Sequence, residues 1–219
     1  MPTIQIQATW TFDTALHVGS GLSSPAYADR IVRRSSISGA AEIDGDGIKG
    51  AIRLSAERLC RWYAEHAVEN GVSSATAHPI LNRIFRNSGV VRWRFQPSAS
   101  AGVDRFRVAA TAINADSGVA DSRTLRVIEN FASGAAFDVT IEAKGGEFDS
   151  DVRFLILALV LTESLGGKRT SGLGRISCSR VRYRVDGGPR VDVTPDIAAS
   201  WVTGVVNEVR KLEQEVPSP

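Results

Sequence analysis

The sequence predicts an α+β fold, and three stretches carry that reading. Thr3 to Phe12 alternates strictly, with Ile4, Ile6, Ala8, Trp10 and Phe12 on one face and Thr3, Gln5, Gln7, Thr9 and Thr11 on the other, as a half-buried strand does. Asp151 to Leu165 is almost wholly apolar, with Arg153 and Glu163 as exceptions, which suits a helix packed on a sheet. Between that run and a closing strand lies Gly166-Gly167-Lys168-Arg169-Thr170-Ser171-Gly172-Leu173-Gly174-Arg175.

The elements follow in chain order. After the first strand, Leu16 to Gly21 leads into a weakly periodic segment, Leu22 to Glu42, a length of loop that compact domains keep for function or leave disordered. Ile48, Ile52, Ser55, Leu59, Trp62 and Tyr63 then recur at helical spacing, so a helix is expected over about 47–67 with Asp46 as its N-cap. Ile80 to Phe85 suits a short helix. Val90 to Phe95 suits a strand with Val91, Trp93 and Phe95 inward and Arg92 and Arg94 outward. Pro97 to Arg107 reads as loop and Val108 to Asn130 as weakly patterned. Ala135 to Ala143 alternates again through Phe137, Val139 and Ile141, and Leu173 to Val185 reads as a strand bulged near Ser179. A last helix covers about 196–215. Strand, helix, strand, strand, helix, strand is the ferredoxin-like (RRM-like) order, here with insertions at about 19–45 and 97–130 in a single domain spanning 1–219. That order hosts many functions, RNA binding among them.

Composition narrows the classes. With 26 basic against 24 acidic residues, any basic surface must be local, and lysine is confined to Lys49, Lys144, Lys168 and Lys211, leaving the positive charge to arginine, whose planar fork suits phosphate. Two cysteines, Cys60 and Cys178, make no disulfide framework, the N-terminus has no signal-peptide pattern, and no apolar run reaches membrane length. A cytoplasmic protein with no membrane partner is expected.

Two segments suit an anion. In the glycine-rich loop, Gly166, Gly167, Gly172 and Gly174 let the backbone approach a ligand, Lys168, Arg169 and Arg175 supply charge, and Thr170 and Ser171 supply hydroxyls. A nucleotide-binding P-loop is excluded, since Arg169 follows Lys168 where Ser or Thr is needed and the loop runs from helix to strand. The other segment is the start of the first helix, where Lys49 and Arg53 share a face next to free backbone donors. A glycine-rich C-cap with solvated charges and a surface helix with two exposed cations remain the plain alternatives.

Placed in order, Leu16-His17-Val18-Gly19-Ser20-Gly21, Ile43-Asp44-Gly45-Asp46-Gly47-Ile48-Lys49-Gly50-Ala51-Ile52-Arg53, the segment from Ala112 through Arg123 to Glu129, and the glycine-rich loop together resemble the RAMP superfamily of CRISPR proteins, above all the repeated backbone subunit of type III effector complexes. The resemblance implies a subunit that polymerises with copies of itself along a guide RNA (crRNA), beside other CRISPR effector subunits, each copy holding the backbone of about six nucleotides without regard to sequence. It implies that Lys49, Arg53, Gly167, Lys168, Arg169, Thr170 and Ser171 face guide phosphates, and that the segment from Ile113 to Arg126, with Arg123 and Arg126, forms a thumb hairpin. In slicing members an aspartate after the first strand serves metal-dependent cleavage of the complementary target RNA; Ala28-Asp29-Arg30-Ile31-Val32-Arg33 places Asp29 there, with Mg²⁺ or another divalent cation as cofactor. Asp44 and Asp46 depart from the family pattern, which has proline and serine, and Asp44 has no evident use.

Two further readings stay open. The chain could be a scaffold of the same kind that does not cut, or a metal-independent repeat-processing endoribonuclease with His17 as base. A zinc site from Cys60, His66 and His78 fits no standard spacing. Trp10, Trp62, Trp93 and Trp201 all fall on apolar faces and read as core.

Overall fold

The computed structural model describes residues 2–24, 27–63, 78–86, 92–122, 124–145, 149–167 and 169–214. Strands β1 (Thr3–Phe12), β3 (Arg92–Phe95), β7 (Ala136–Lys144), β8 (Ile176–Val185) and β9 (Val191–Val193) form one antiparallel sheet in the order β3-β7-β1-β8-β9. Without the short edge strand β9, this is the ferredoxin-like order, with the first strand flanked by the third and fourth. Helices α1 (Gly45–Tyr63), α2 (Pro79–Phe85), α3 (Asp149–Val160) and α4 (Pro195–Gln214) complete the α+β core.

The alternation in β1 buries Ile4, Ile6, Ala8, Trp10 and Phe12 with the helices' apolar faces, including Ile48, Ile52, Phe154 and Leu155. The opposite face is polar: Gln5 bonds Glu142, Thr9 bonds Asp138, and Arg182 bonds Gln7. The bulge expected near Ser179 is present, since Thr9 pairs with Arg180 while Trp10 pairs with Cys178. Burial pushes the Cys178 thiol up to about 11, so it stays protonated at neutral pH.

Several expectations need correction. The first helix starts two residues early, and its cap is Asp44: Oδ1 accepts from the Gly47 N–H at 2.6 Å while Oδ2 pairs with Arg33 at 3.1 Å. Asp46 sits exposed in the first turn. The register is set by Gly45, whose missing side chain lets the helix start press on the Phe95 carbonyl. Asp44→Ala is therefore expected to lower stability by about 1–2 kcal/mol in urea denaturation, and Asp46→Ala to leave it nearly unchanged. The expected continuation of α1 to Ala67 lies outside the described residues. Trp62 is 63% exposed and does not serve the core, whereas Trp10 and Trp93 do and Trp201 packs at its edge. α3 ends at Val160, and Leu161 to Leu165 leaves the helix.

The span 97–107 is no loop. It contains β4 (Ser98–Ser100), paired with β2 (Ala41–Ile43), and the start of β5 (Arg105–Ala110), which pairs with β6 (Arg126–Phe131) in a hairpin. The hairpin extends beyond its ladder through a bridge between Ile113 and Ala120 and a turn in which the Asn114 carboxamide accepts from the N–H groups of Asp116 and Ser117.

Below the sheet, Asp151 of α3 is buried and paired with Arg83 of α2. Burial raises its pKa above the ordinary 3.8, and the arginine only partly opposes this. The folded chain therefore takes up this proton at higher pH than the unfolded chain. Its contribution to stability is greatest below 3.8 and falls as pH rises through the raised value. Unfolding free energies measured against pH are expected to show the wild type losing stability relative to Asp151→Asn across that window.

Candidate nucleic-acid interface

The glycine-rich loop is stitched to the end of β1 by its own backbone. Asp13 donates to the Arg175 carbonyl at 3.0 Å, Gly174 to Ala15 at 2.7 Å, and Gly167 to His17 at 2.8 Å. Gly166 and Gly174 adopt φ of 89° and 72°, and a Cβ at Gly166 would lie 2.6 Å from the His17 carbonyl oxygen. At Gly174 a Cβ would collide with the Leu165 carbonyl. Two of the four glycines thus serve close approach to the protein's own backbone. Gly172, at φ 81° with open space around it, and the exposed Gly167 keep the loop surface open, while their N–H groups are held by the Arg169 and His17 carbonyls.

Arg169 to Ser171 form a single 3₁₀ turn with Arg169 and Ser171 exposed. Arg169 and Arg175, with Asp13, Thr14, Glu163 and Ser177, line a cleft of about 580 Å³. Lys168 lies outside the described residues.

The start of α1 is tied to the same segment through Arg33. The Arg33 N–H donates to the Val18 carbonyl at 2.7 Å, and the Arg33 side chain reaches both Glu42 at 2.9 Å and the capping Asp44 at 3.1 Å. His17 thus contacts the glycine-rich loop while its neighbour Val18 is linked through Arg33 to the helix start. Further along α1, Ser55 donates to the Leu161 carbonyl and Arg58 pairs with Glu163, just ahead of the loop. Lys49 is half-buried and has no ion-pair partner among the described residues, while Arg53 is tied to Glu57 at 2.9 Å. Asp44, which had no evident use in the sequence, is balanced by Arg33 and by the helix N-terminus.

Asp29 sits beside the loop-ward end of the β5–β6 ladder. Segment 27–33 runs beside β6, joined to it by an isolated parallel bridge between Arg30 and Ile128. Asp29 donates its N–H to the Val127 carbonyl at 2.8 Å, and its Oδ2 accepts from the Val127 N–H at 2.6 Å, beside the exposed Arg126. Arg123 lies outside the described residues. β5 is exposed along nearly its whole length, and Phe106, Val108, Ile113, Val119 and Leu125 leave apolar surface on the hairpin and its extension.

His17 is buried. Its Nδ1 lies 2.8 Å from the Glu129 carbonyl oxygen, and its ring would crowd a Cβ at Gly167, with Cδ2 at 3.3 Å. Cys60 is buried within α1, and His78 caps α2 through the Ile80 N–H and reaches the Val209 carbonyl. His66 lies outside the described residues. No group of three or more His, Cys, Asp or Glu suited to a metal occurs among the described residues, nor any helix long and apolar enough to cross a membrane.

Sequence reasoning missed Arg33, Tyr27, Arg105 and Glu129, which fasten these pieces together. Glu129 alone carried a signal, being a charged residue in the run Ile128 to Phe131 that is buried throughout.

These features define an α+β protein with a ferredoxin-like core, a hairpin inserted between its second and third core strands, and cationic backbone turns gathered beside the first. The chain belongs to the RAMP superfamily, whose family model matches residues 9–177. No curated protein matches the sequence. Among solved structures, a chain in "Cryo-EM structure of the Type III-B Cmr-beta bound to cognate target RNA" shares the fold, with a TM-score of 0.58 and 15% identity over 83% of this chain. The match spans 60% of that chain's length.

Proposed function

We propose that the protein is a guide-RNA-binding backbone subunit of a CRISPR type III-like ribonucleoprotein, working with other effector subunits and further copies of itself. The observation that carries this reading is the joining of two separate cationic turns to one short segment. Gly167 bonds to His17, and Arg33 links Val18 to the capping Asp44. The positive end of the helix at its start, the open surface of the glycine-rich loop, Arg169, and Lys49, which has no ion-pair partner among the described residues, offer a ribose-phosphate strand donors and positive charge without reading bases. Family membership and the fold shared with a chain of a target-RNA-bound complex support the same reading. Removing the turn cations should weaken guide binding and its salt dependence together.

The finer proposal is cleavage of the bound target at Asp29 at intervals of about six nucleotides. Asp29 is exposed, and its Oδ1 has no bonding partner among the described residues. One free carboxylate oxygen suits a hydrated Mg²⁺, which takes one or two protein ligands and completes its shell with water and substrate phosphates. A divalent cation bound there would neutralise charge on the scissile phosphate. Asp29 itself would hold the cation, while the hairpin beside it orients the strand.

A second reading, a scaffold that does not cut, has one specific support: Asp29 already has a structural use as acceptor for Val127. The assembled complex offered complementary RNA with Mg²⁺ separates the two readings by yielding regularly spaced cuts or intact target.

A further inference from the structure

We infer that Glu129 is a positioning residue that fixes Asp29, an inference that rests on the cleavage reading above. Glu129 is fully buried on β6 and faces segment 27–33. One carboxylate oxygen accepts from the Tyr27 hydroxyl and from Arg105, each at 3.0 Å, and the other accepts from the Val32 N–H at 3.1 Å. Its backbone N–H donates to the Arg30 carbonyl at 3.0 Å, and its carbonyl oxygen meets His17 Nδ1 at 2.8 Å. These bonds bracket Asp29 in sequence, gripping residue 27 before it and residues 30 and 32 after it.

The bonds also tie Asp29 to the hairpin as a whole. Arg105 comes from β5, and the Arg107 guanidinium from the same strand lies 4.7 Å above the Tyr27 ring while donating to the Tyr27 carbonyl. Burying a carboxylate is costly unless its oxygens are fully engaged, and an apolar residue would fill the space at less cost. What Glu129 adds is directional. It holds a six-residue strip in one register, so that the free oxygen of Asp29 keeps a fixed place relative to the hairpin. A misplacement of about 1 Å at a reacting group can lower a rate about 100-fold without changing affinity.

The test uses the assembled complex with guide RNA and Mg²⁺, measuring the single-turnover cleavage rate at saturating complementary RNA alongside target affinity. Glu129→Ala is expected to slow cleavage at least about tenfold with affinity unchanged. Glu129→Gln, which keeps an acceptor for Val32 and a partner for Tyr27 but turns an amide N–H toward Arg105, is expected to restore the rate only in part. Tyr27→Phe is expected to slow cleavage about threefold. A wild-type rate in Glu129→Ala, or a loss confined to affinity, overturns the inference if Asp29→Asn is inert in the same assay. Should Glu129→Ala fail to fold, Tyr27→Phe decides: slowing supports the inference and a wild-type rate overturns it. A wild-type rate in Asp29→Asn overturns the cleavage reading itself, and the positioning of Asp29 for chemistry goes with it.

Discussion

Asp29→Asn in the assembled ribonucleoprotein is expected to lower cleavage of complementary RNA by about 100-fold or more while leaving guide and target affinity unchanged. The substitution is chosen because Asp29 has two roles that can be separated. Its Oδ2 accepts from the Val127 N–H, an ordinary structural bond that an asparagine oxygen reproduces. The negative charge on the exposed oxygen is what would hold a divalent cation, and the amide removes it. Asp29→Ala deletes both roles, and its inactivity would not tell them apart. The measurement is single-turnover cleavage with Mg²⁺ and an EDTA control. Equal rates for wild type and Asp29→Asn would remove Asp29 from the chemistry and assign the cutting to another group or another subunit.

The second large effect is expected on guide binding. Lys49→Ala combined with Lys168→Ala should weaken guide affinity at low salt and reduce the slope of log affinity against log salt by about 1.4, since each single-strand phosphate contact contributes about 0.7. Arg53→Ala should do less, because that guanidinium is already held by Glu57 within the helix. Compared per charge removed, the two variants separate phosphate contact from general loss of positive charge. An unchanged slope in the double variant removes both lysines from the site.

The sequence revealed those parts whose partners impose a period. β1 alternates because one face meets the helices, and the bulge at Ser179 was legible because alternation breaks there. β4 and β5 were missed for the opposite reason. β4 has three small residues, and β5 is exposed on nearly every side chain, so neither carries a hydrophobic rhythm. The helix start was displaced by two residues because both Asp44 and Asp46 suit a cap. Choosing between them needs the contact of Gly45 with the Phe95 carbonyl, which lies fifty residues away in the chain. Trp62 falls on the helical stripe yet is exposed, so helical spacing alone does not show which stripe positions are covered.

The candidate site was legible as an inventory and not as an assembly. Glycines, lysines and arginines are visible in one dimension, whereas the bonds from Gly167 to His17 and from Arg33 to Asp44 join residues that no local pattern relates. Glu129 is the extreme case: its partners Tyr27 and Val32 lie about a hundred residues upstream, at |i−j| of 102 and 97.

Photo-crosslinking of the assembled protein to a thiouridine-substituted guide RNA, with the attachment sites mapped by mass spectrometry, tests the central claim most directly. Cross-links are predicted in two clusters, residues 44–53 at the helix start and residues 163–175 around the glycine-rich loop, at the same positions whatever the guide sequence. Cross-links confined to the open face of the sheet, around Gln7, Thr140 and Arg182, would contradict it.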